Sequence, residues 1–198
     1  ITQSQVDTTT RSIWRYRASF PLACDEPISL GEGCTPLVAR PFGASGGTVH
    51  FKCEWFSPTC SFKDRGASVM LSLLRAQGVT HVLEDSSGNG GAAIASYAAA
   101  GGMRAKILVP ASTSPAKTVA ARAAGAEIEL VPGSRQDCAD EALRQSRDIF
   151  YASHNWHPFF LQGTKTLAYE IWEDLGFRAP DNVIIPTGGG SNVMGCDI

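Results

Sequence analysis

Three short stretches carry residue types that do chemistry. Residues 61–66 read SFKDRG, residues 86–91 read SSGNGG, and residues 186–192 read PTGGGSN. In the first, Lys63 offers an amine that is either a solvated charge at a helix start or a nucleophile toward a carbonyl, with Asp64 placed to favour the helix dipole. In the second, Ser87, Gly88 and Gly90 let a ligand come close to the backbone, Asn89 adds a side-chain amide, and the N–H groups of a helix start suit an anion. Without a ligand the same residues make a tight strand-to-helix turn, because Asn tolerates unusual backbone conformations. In the third, Gly188, Gly189 and Gly190 supply a nest of N–H groups, and Ser191 and Asn192 add side-chain hydrogen bonds, which suits a phosphate monoester.

Two common nucleotide readings fit poorly. Gly88-x-Gly90-x-x-Ala93 meets a relaxed dinucleotide fingerprint, but the next strand ends in Val109-Pro110-Ala111-Ser112 and lacks the acidic residue that holds the ribose. The triple-glycine stretch lacks the Gly-Lys-Ser/Thr of an ATP-binding loop. An amine, an amide and a phosphate nest instead describe one ligand carrying an electrophile, a polar ring substituent and a phosphate. Pyridoxal 5'-phosphate has all three: a lysine condenses with its aldehyde as a Schiff base, and its ring accepts the electrons of a substrate Cα carbanion.

The elements that must position these residues follow from periodicity. Strands are expected at 48–55, 80–83, 105–109, 127–131 and 182–185. Helices are expected at 64–77, 91–100, 114–124, 134–147 and 164–175, the first with Ala67, Met70, Leu71 and Leu74 at helical spacing. This alternation predicts a three-layer α/β fold, mostly parallel sheets flanked by helices. Residues 1–47 are rich in proline and glycine and promise few regular elements. Ligands of such sheets bind at the carboxyl ends of strands, which singles out the loops 56–63, 84–91 and 186–192.

Bulk properties narrow the function classes. The 198 residues are 43% hydrophobic and 18% charged with net charge −2, so neither disorder nor a polyanion-binding surface is expected, and nucleic acid is not an expected partner. No apolar run approaches the roughly 20 residues that span a bilayer, and residues 1–17 lack the apolar core of a secretory signal. A cytoplasmic location is expected, with Cys24, Cys34, Cys53, Cys60, Cys138 and Cys196 as reduced, buried thiols. His154 and His157 stand three apart, but no third ligand has a telling spacing and Pro158 breaks the local helix, so no metal site is expected. The chain starts at Ile1 and stops at Ile198 inside a helix start, which reads as a fragment truncated at its C-terminus.

Taken in order, WRYR (14–17), LGEGCTPLV (30–38), SFKDRG, SSGNGGAA, GTKTLAYEI (163–171) and PTGGGSN span nearly the whole chain. In these segments it resembles the fold type II pyridoxal-phosphate enzymes, the family of the tryptophan synthase β subunit, and within it the threonine synthase-like members. The resemblance implies that Lys63 bonds the cofactor and later shuttles protons, that Phe62 packs beside it, and that Asn89 hydrogen-bonds its ring hydroxyl. It assigns the cofactor phosphate to Gly188, Gly189, Gly190, Ser191 and Asn192, and the substrate carboxylate to Ser87, Gly88 and Gly90. It implies a smaller β/α domain over residues 53–148, and a part of the larger, phosphate-binding domain over 1–52 plus 149–198. A residue beyond Ile198 would face the pyridine nitrogen.

The implied activity is that of a lyase or synthase converting O-phosphohomoserine to threonine and phosphate, with a small amino acid as the partner and a homodimer as one assembly in keeping with it. Three positions depart from the family pattern: Cys60 where glycine is common, Gly90 where threonine is common, and Phe160 where an arginine suits a substrate phosphate. These departures keep alternatives open: β-elimination or β-replacement on serine, threonine or diaminopropionate, or an inactive, truncated relative.

Overall fold

The computed structural model describes residues 1–21, 23–44 and 46–198. A hairpin of β1 (Leu37–Phe42) and β2 (Gly47–Lys52) forms a separate antiparallel two-stranded sheet. The main sheet is parallel, with order β5-β4-β3-β6, from β3 (His81–Glu84), β4 (Arg104–Pro110), β5 (Glu127–Val131) and β6 (Phe150–Tyr151). Its helical partners are α1 (Lys63–Ala76), α2 (Asn89–Ala100), α3 (Pro115–Ala123) and α4 (Arg135–Gln145). The chain continues in α5 (Pro158–Thr164), α6 (Thr166–Asp174) and α7 (Ser191–Asp197).

Strand periodicity explains why helices cover both faces. Side chains alternate along β3 and β4, so Val82, Ile107 and Val109 join one core with Met70, Leu71 and Leu74 of α1 and Ile94, Tyr97 and Ala98 of α2. Leu83 and Leu108 point the opposite way, into a second core with Val131 of β5 and Cys138 and Ala142 of α4. The four apolar positions picked out on α1 are all fully buried. Its other face is covered too: Trp14 Nε1 donates to Ser68 Oγ at 2.8 Å and Ile28 N donates to Ser72 Oγ at 2.8 Å. The proline- and glycine-rich N-terminal segment thus satisfies the polar stripe of α1, and it holds a 3-10 stretch at Ile13–Ser19 besides β1.

Several sequence-based expectations need correction. The strand expected at 48–55 stops at Lys52 and pairs outside the parallel sheet; Glu54–Phe56 is a 3-10 turn, so the loop that carries Lys63 does not leave a parallel strand. Residues 182–185 form no strand. Ile184 is 94% exposed, and this extended stretch finds no sheet neighbour among the described residues to supply ladder hydrogen bonds. The helix expected at 164–175 is preceded by α5. Pro158 sits in the first turn of α5, where its missing N–H costs nothing, so it starts a helix rather than breaking one. The two-residue strand β6 was too short to carry a period. All six cysteines are free, with Cys53 and Cys138 buried but Cys60 exposed.

The helices α1, α5 and α7 approach through glycines. A Cβ on Gly66 would stand 2.5 Å from the Phe160 ring, one on Gly163 would stand 2.0 Å from the Arg65 carbonyl oxygen, and one on Gly195 would stand 2.0 Å from Thr164 Oγ1. Close backbone contact of this kind admits no side chain. Gly163→Ala therefore destabilises the fold by at least ~2 kcal/mol, because the obstacle is backbone that cannot rotate away. Urea unfolding checks this; Gly78→Ala is the poor control, since that position has positive φ, and Ala76→Gly is the better one for a helix effect of about 1 kcal/mol.

Candidate active site

Lys63 is the first residue of α1, and Ser191 is the first residue of α7. The glycine contacts bring these two helix starts together: Lys63 Nζ donates to Ser191 Oγ at 3.2 Å, across 128 positions of sequence. Thr164 Oγ1 of α5 donates to the Ser191 carbonyl at 3.0 Å and so ties the third helix to the same point. The Lys63 amine lies 4.8 Å from the Phe62 ring centroid and 5.5 Å from that of Phe160. Burial holds the lysine below its ordinary pKa, and the charge of Glu84 opposes that shift. A solvated lysine at a helix start would show neither the burial nor the aromatic walls.

The two residues after Lys63 are anchors. Asp64 is buried, accepts from the Thr59 N–H at 2.7 Å and from the Thr59 hydroxyl, and burial lifts its pKa to about 6. Arg65 is fully buried. Its guanidinium donates to Glu54 (Nε to Oε2, 2.7 Å; Nη2 to Oε1, 2.8 Å) and to Glu170 Oε2 at 2.9 Å. Glu170 also pairs with Lys52 Nζ at 2.7 Å and accepts from the Thr35 N–H at 2.7 Å. Three separate stretches of chain, at Thr35, at Lys52 to Glu54 and at Glu170, thus converge on the residue that follows the Lys63-Asp64 pair.

The Ser86–Gly91 stretch leaves the carboxyl end of β3 and opens α2, as the strand-end rule anticipates. Gly88 is the N-cap of α2 and Asn89 its first residue, with its side chain exposed. A Cβ on Gly91 would stand 2.0 Å from the Ser86 carbonyl oxygen, so the turn itself needs that glycine. Ser87 is half-buried. Behind Gly90 stands His154, whose Nδ1 is 3.0 Å from Glu84 Oε1 and whose N–H donates to Glu84 Oε2 at 3.1 Å. At the other loop, Gly188 and Gly189 are exposed and Gly190 has φ of +90°, the left-handed region that favours glycine.

The structure brings Lys63, Phe62 and Ser191 together, with Asn192 next along α7. It gives no direct bond between Asn89 and Lys63. Sequence reading missed Glu84, His154 and Thr164. Glu84 did carry a signal, an acid ending a buried strand just before a glycine-rich turn. His154 and His157 do not share a helix, and among the described residues no cluster of three or more His, Cys, Asp or Glu side chains is arranged for a metal.

These residues suit a phosphorylated ring with an aldehyde. Open space lies over Gly88 and Gly188, where nothing stands within 4 Å of a would-be Cβ. Among the described residues Asn192 Oδ1 is buried without a hydrogen-bond partner, and the Lys63 amine has a single hydroxyl, that of Ser191, as its hydrogen-bond partner. A parallel α/β fold with a half-buried lysine hydrogen-bonded at the end of a glycine loop fits the pyridoxal-phosphate class. Residues 28–196 match the family model described as pyridoxal-phosphate dependent enzyme, and the chain belongs to that family.

Relatives sharpen the comparison. The chain is 35% identical to a threonine synthase of Mycobacterium leprae, covering 94% of this chain and 54% of that protein. It is 33% identical to a threonine synthase of Methanocaldococcus jannaschii, covering 91% and 46%. Among solved structures, a cysteine synthase from Entamoeba histolytica superposes with a TM-score of 0.75 at 27% identity, over 82% of this chain and 53% of that one. A threonine deaminase from Solanum lycopersicum superposes at 0.70 and 27%, over 81% and 45%. The chain spans about half the length of the curated relatives it matches.

Two outcomes follow from the anchors. Glu170 is held down at about 2 by its cationic partners, which outweigh its burial, against an ordinary value of 4.5. Its contribution to stability is therefore complete above pH 4.5 and is lost as pH falls from there toward 2. Glu170→Gln should flatten that part of the acid-unfolding profile and cost about 3–5 kcal/mol at neutral pH, since it leaves Arg65 underpaired; urea titrations from pH 2 to 7 measure both. Cys60 has φ of +60°. Cys60→Gly should therefore raise the unfolding free energy by about 0.5–1 kcal/mol, net of glycine's greater freedom when unfolded, whereas Cys60→Ala should not.

Proposed function

We propose that this chain carries the lysine half of a pyridoxal-phosphate-dependent lyase or synthase acting on a small amino acid, in the manner of threonine synthase. The observation that carries the reading is the Lys63 amine, half-buried and hydrogen-bonded to Ser191 Oγ at 3.2 Å, where the triple-glycine loop meets α7. When bound, the cofactor supplies an aldehyde for that amine and a ring that stabilises negative charge at the substrate Cα. Lys63 then takes and returns the proton at Cα. Its lowered pKa raises the fraction of free amine near neutral pH, as a general base requires.

The other residues hold and orient. Gly188, Gly189 and Gly190 would give N–H groups to the cofactor phosphate, with Ser191 and Asn192 beside them. Asn89 would bond the ring hydroxyl, and Phe62 would lie against the ring. Ser87, Gly88 and Gly90 would receive the substrate carboxylate at the start of α2. Closure of the site over the substrate would keep water from the carbanion.

O-Phosphohomoserine is the first substrate to test, supported by the relatives named threonine synthase. A second reading, β-elimination or β-replacement on serine, threonine or diaminopropionate, is favoured by Phe160. A fully buried phenyl ring stands near the Lys63 amine and offers nothing to a substrate phosphate.

Borohydride reduction of the cofactor-loaded protein should fix one pyridoxyl group, and peptide mapping should find it on Lys63. Lys63→Ala should abolish the label and lower turnover by at least ~10³-fold. A protein that stays colourless with cofactor and unlabelled would overturn the reading. Phosphate and keto-acid release from O-phosphohomoserine, serine, threonine and diaminopropionate then separates the two substrate classes.

A further inference from the structure

The Ser86–Gly91 turn is backed by a side chain that the proposed chemistry leaves unused. A Cβ on Gly90 would stand 2.9 Å from His154 Cε1 and 2.9 Å from its Nδ1, with Ser86 Oγ at 3.0 Å. Contacts that short are relieved cheaply when the obstacle is a free side chain, but this ring is not free. Glu84, fully buried at the end of β3, accepts from both the backbone N–H of His154 and its ring. The imidazole also meets the Phe160 ring edge-on, with centroids 5.9 Å apart, and Phe160 is itself packed over Gly66. Glu84 is also the charge that Lys63 feels most strongly from outside its own burial.

We propose that Glu84 and His154 form a positioning unit for the substrate-carboxylate end of the site. Glu84 fixes the imidazole, and the imidazole fills the space that a side chain at position 90 would need and sets where the Asn89–Gly90 backbone presents its N–H groups. Position 90 and position 154 therefore determine specificity as a pair. A residue larger than glycine at 90 requires a smaller one at 154. The inference rests on the proposed role of the turn as the carboxylate-binding element. Its structural half, the competition for one volume, stands on the contacts alone.

The test uses the full chain and four proteins: wild type, Gly90→Thr, His154→Ala and the double variant. Thermal unfolding without cofactor reads the competition. Gly90→Thr should lower Tm by several degrees, and the double variant should recover most of that loss relative to His154→Ala, a non-additive result. Additive shifts would overturn the pair. Titration of the cofactor-loaded proteins with L-serine, L-threonine and O-phospho-L-homoserine, followed by the cofactor absorbance, reads the positioning. His154→Ala should weaken the half-saturation of the amino acid that binds wild type by roughly 10- to 100-fold while leaving the spectrum of the loaded protein in place. Glu84→Gln should move it in the same direction by less.

Variants that change Tm but leave the titration midpoint unmoved would reduce His154 to packing and overturn the positioning role. If wild-type Lys63 takes no borohydride label, the functional reading fails by itself, and the unfolding comparison still decides whether residues 90 and 154 compete.

Discussion

The site depends on one constraint: three helices pack so closely that only glycine fits at each contact. With Gly66 under the Phe160 ring, Gly163 against the Arg65 carbonyl and Gly195 against Thr164, the starts of α1 and α7 come close enough for Lys63 and Ser191 to share a hydrogen bond. Side chains of ordinary size would hold helix axes 8–10 Å apart and part the two loops. The glycines are costly in helices, where each loses about 1 kcal/mol against alanine. Tight packing must offset that loss.

Charge completes what packing begins. Arg65 sits in a fully buried position, and an unpaired cation there would be prohibitive. Glu54 and Glu170 neutralise it, Lys52 balances the excess carboxylate, and Thr35 closes the remaining valences. Such a network is weak evidence for stability, since apolar side chains of equal volume often do as well. Its geometric effect is clearer. It ties the hairpin end, the 3-10 turn at Glu54–Phe56 and α6 to the second turn-forming residue after Lys63, so the lysine leaves a rigid base.

The sequence made the α/β alternation and the three chemical stretches legible because both are local. Strand and helix periods appear within a dozen residues, and glycine runs announce turns wherever they fall. The errors arose where partners decide. Residues 182–185 have strand composition, yet a strand exists only by pairing, and no neighbour among the described residues pairs with them. The segment 48–55 looks like any buried strand, but its partner is β1 and not the parallel sheet. The place of His154 is not legible locally, because its tie to Glu84 crosses 70 positions and has no local signature. Cys60 stands where glycine is common, and its left-handed backbone is the physical reason that glycine suits the position.

Phe160 has a consequence for how this protein can change. The same ring that borders the lysine also plugs the hollow above Gly66, with no exposed surface of its own. A longer, charged side chain there would have to cover Gly66 with its methylene stem while turning its charge toward the site. The two positions are 94 apart in the chain but packed together in the fold. Any change at residue 160 therefore alters the wall beside the lysine and the packing over α1 at once.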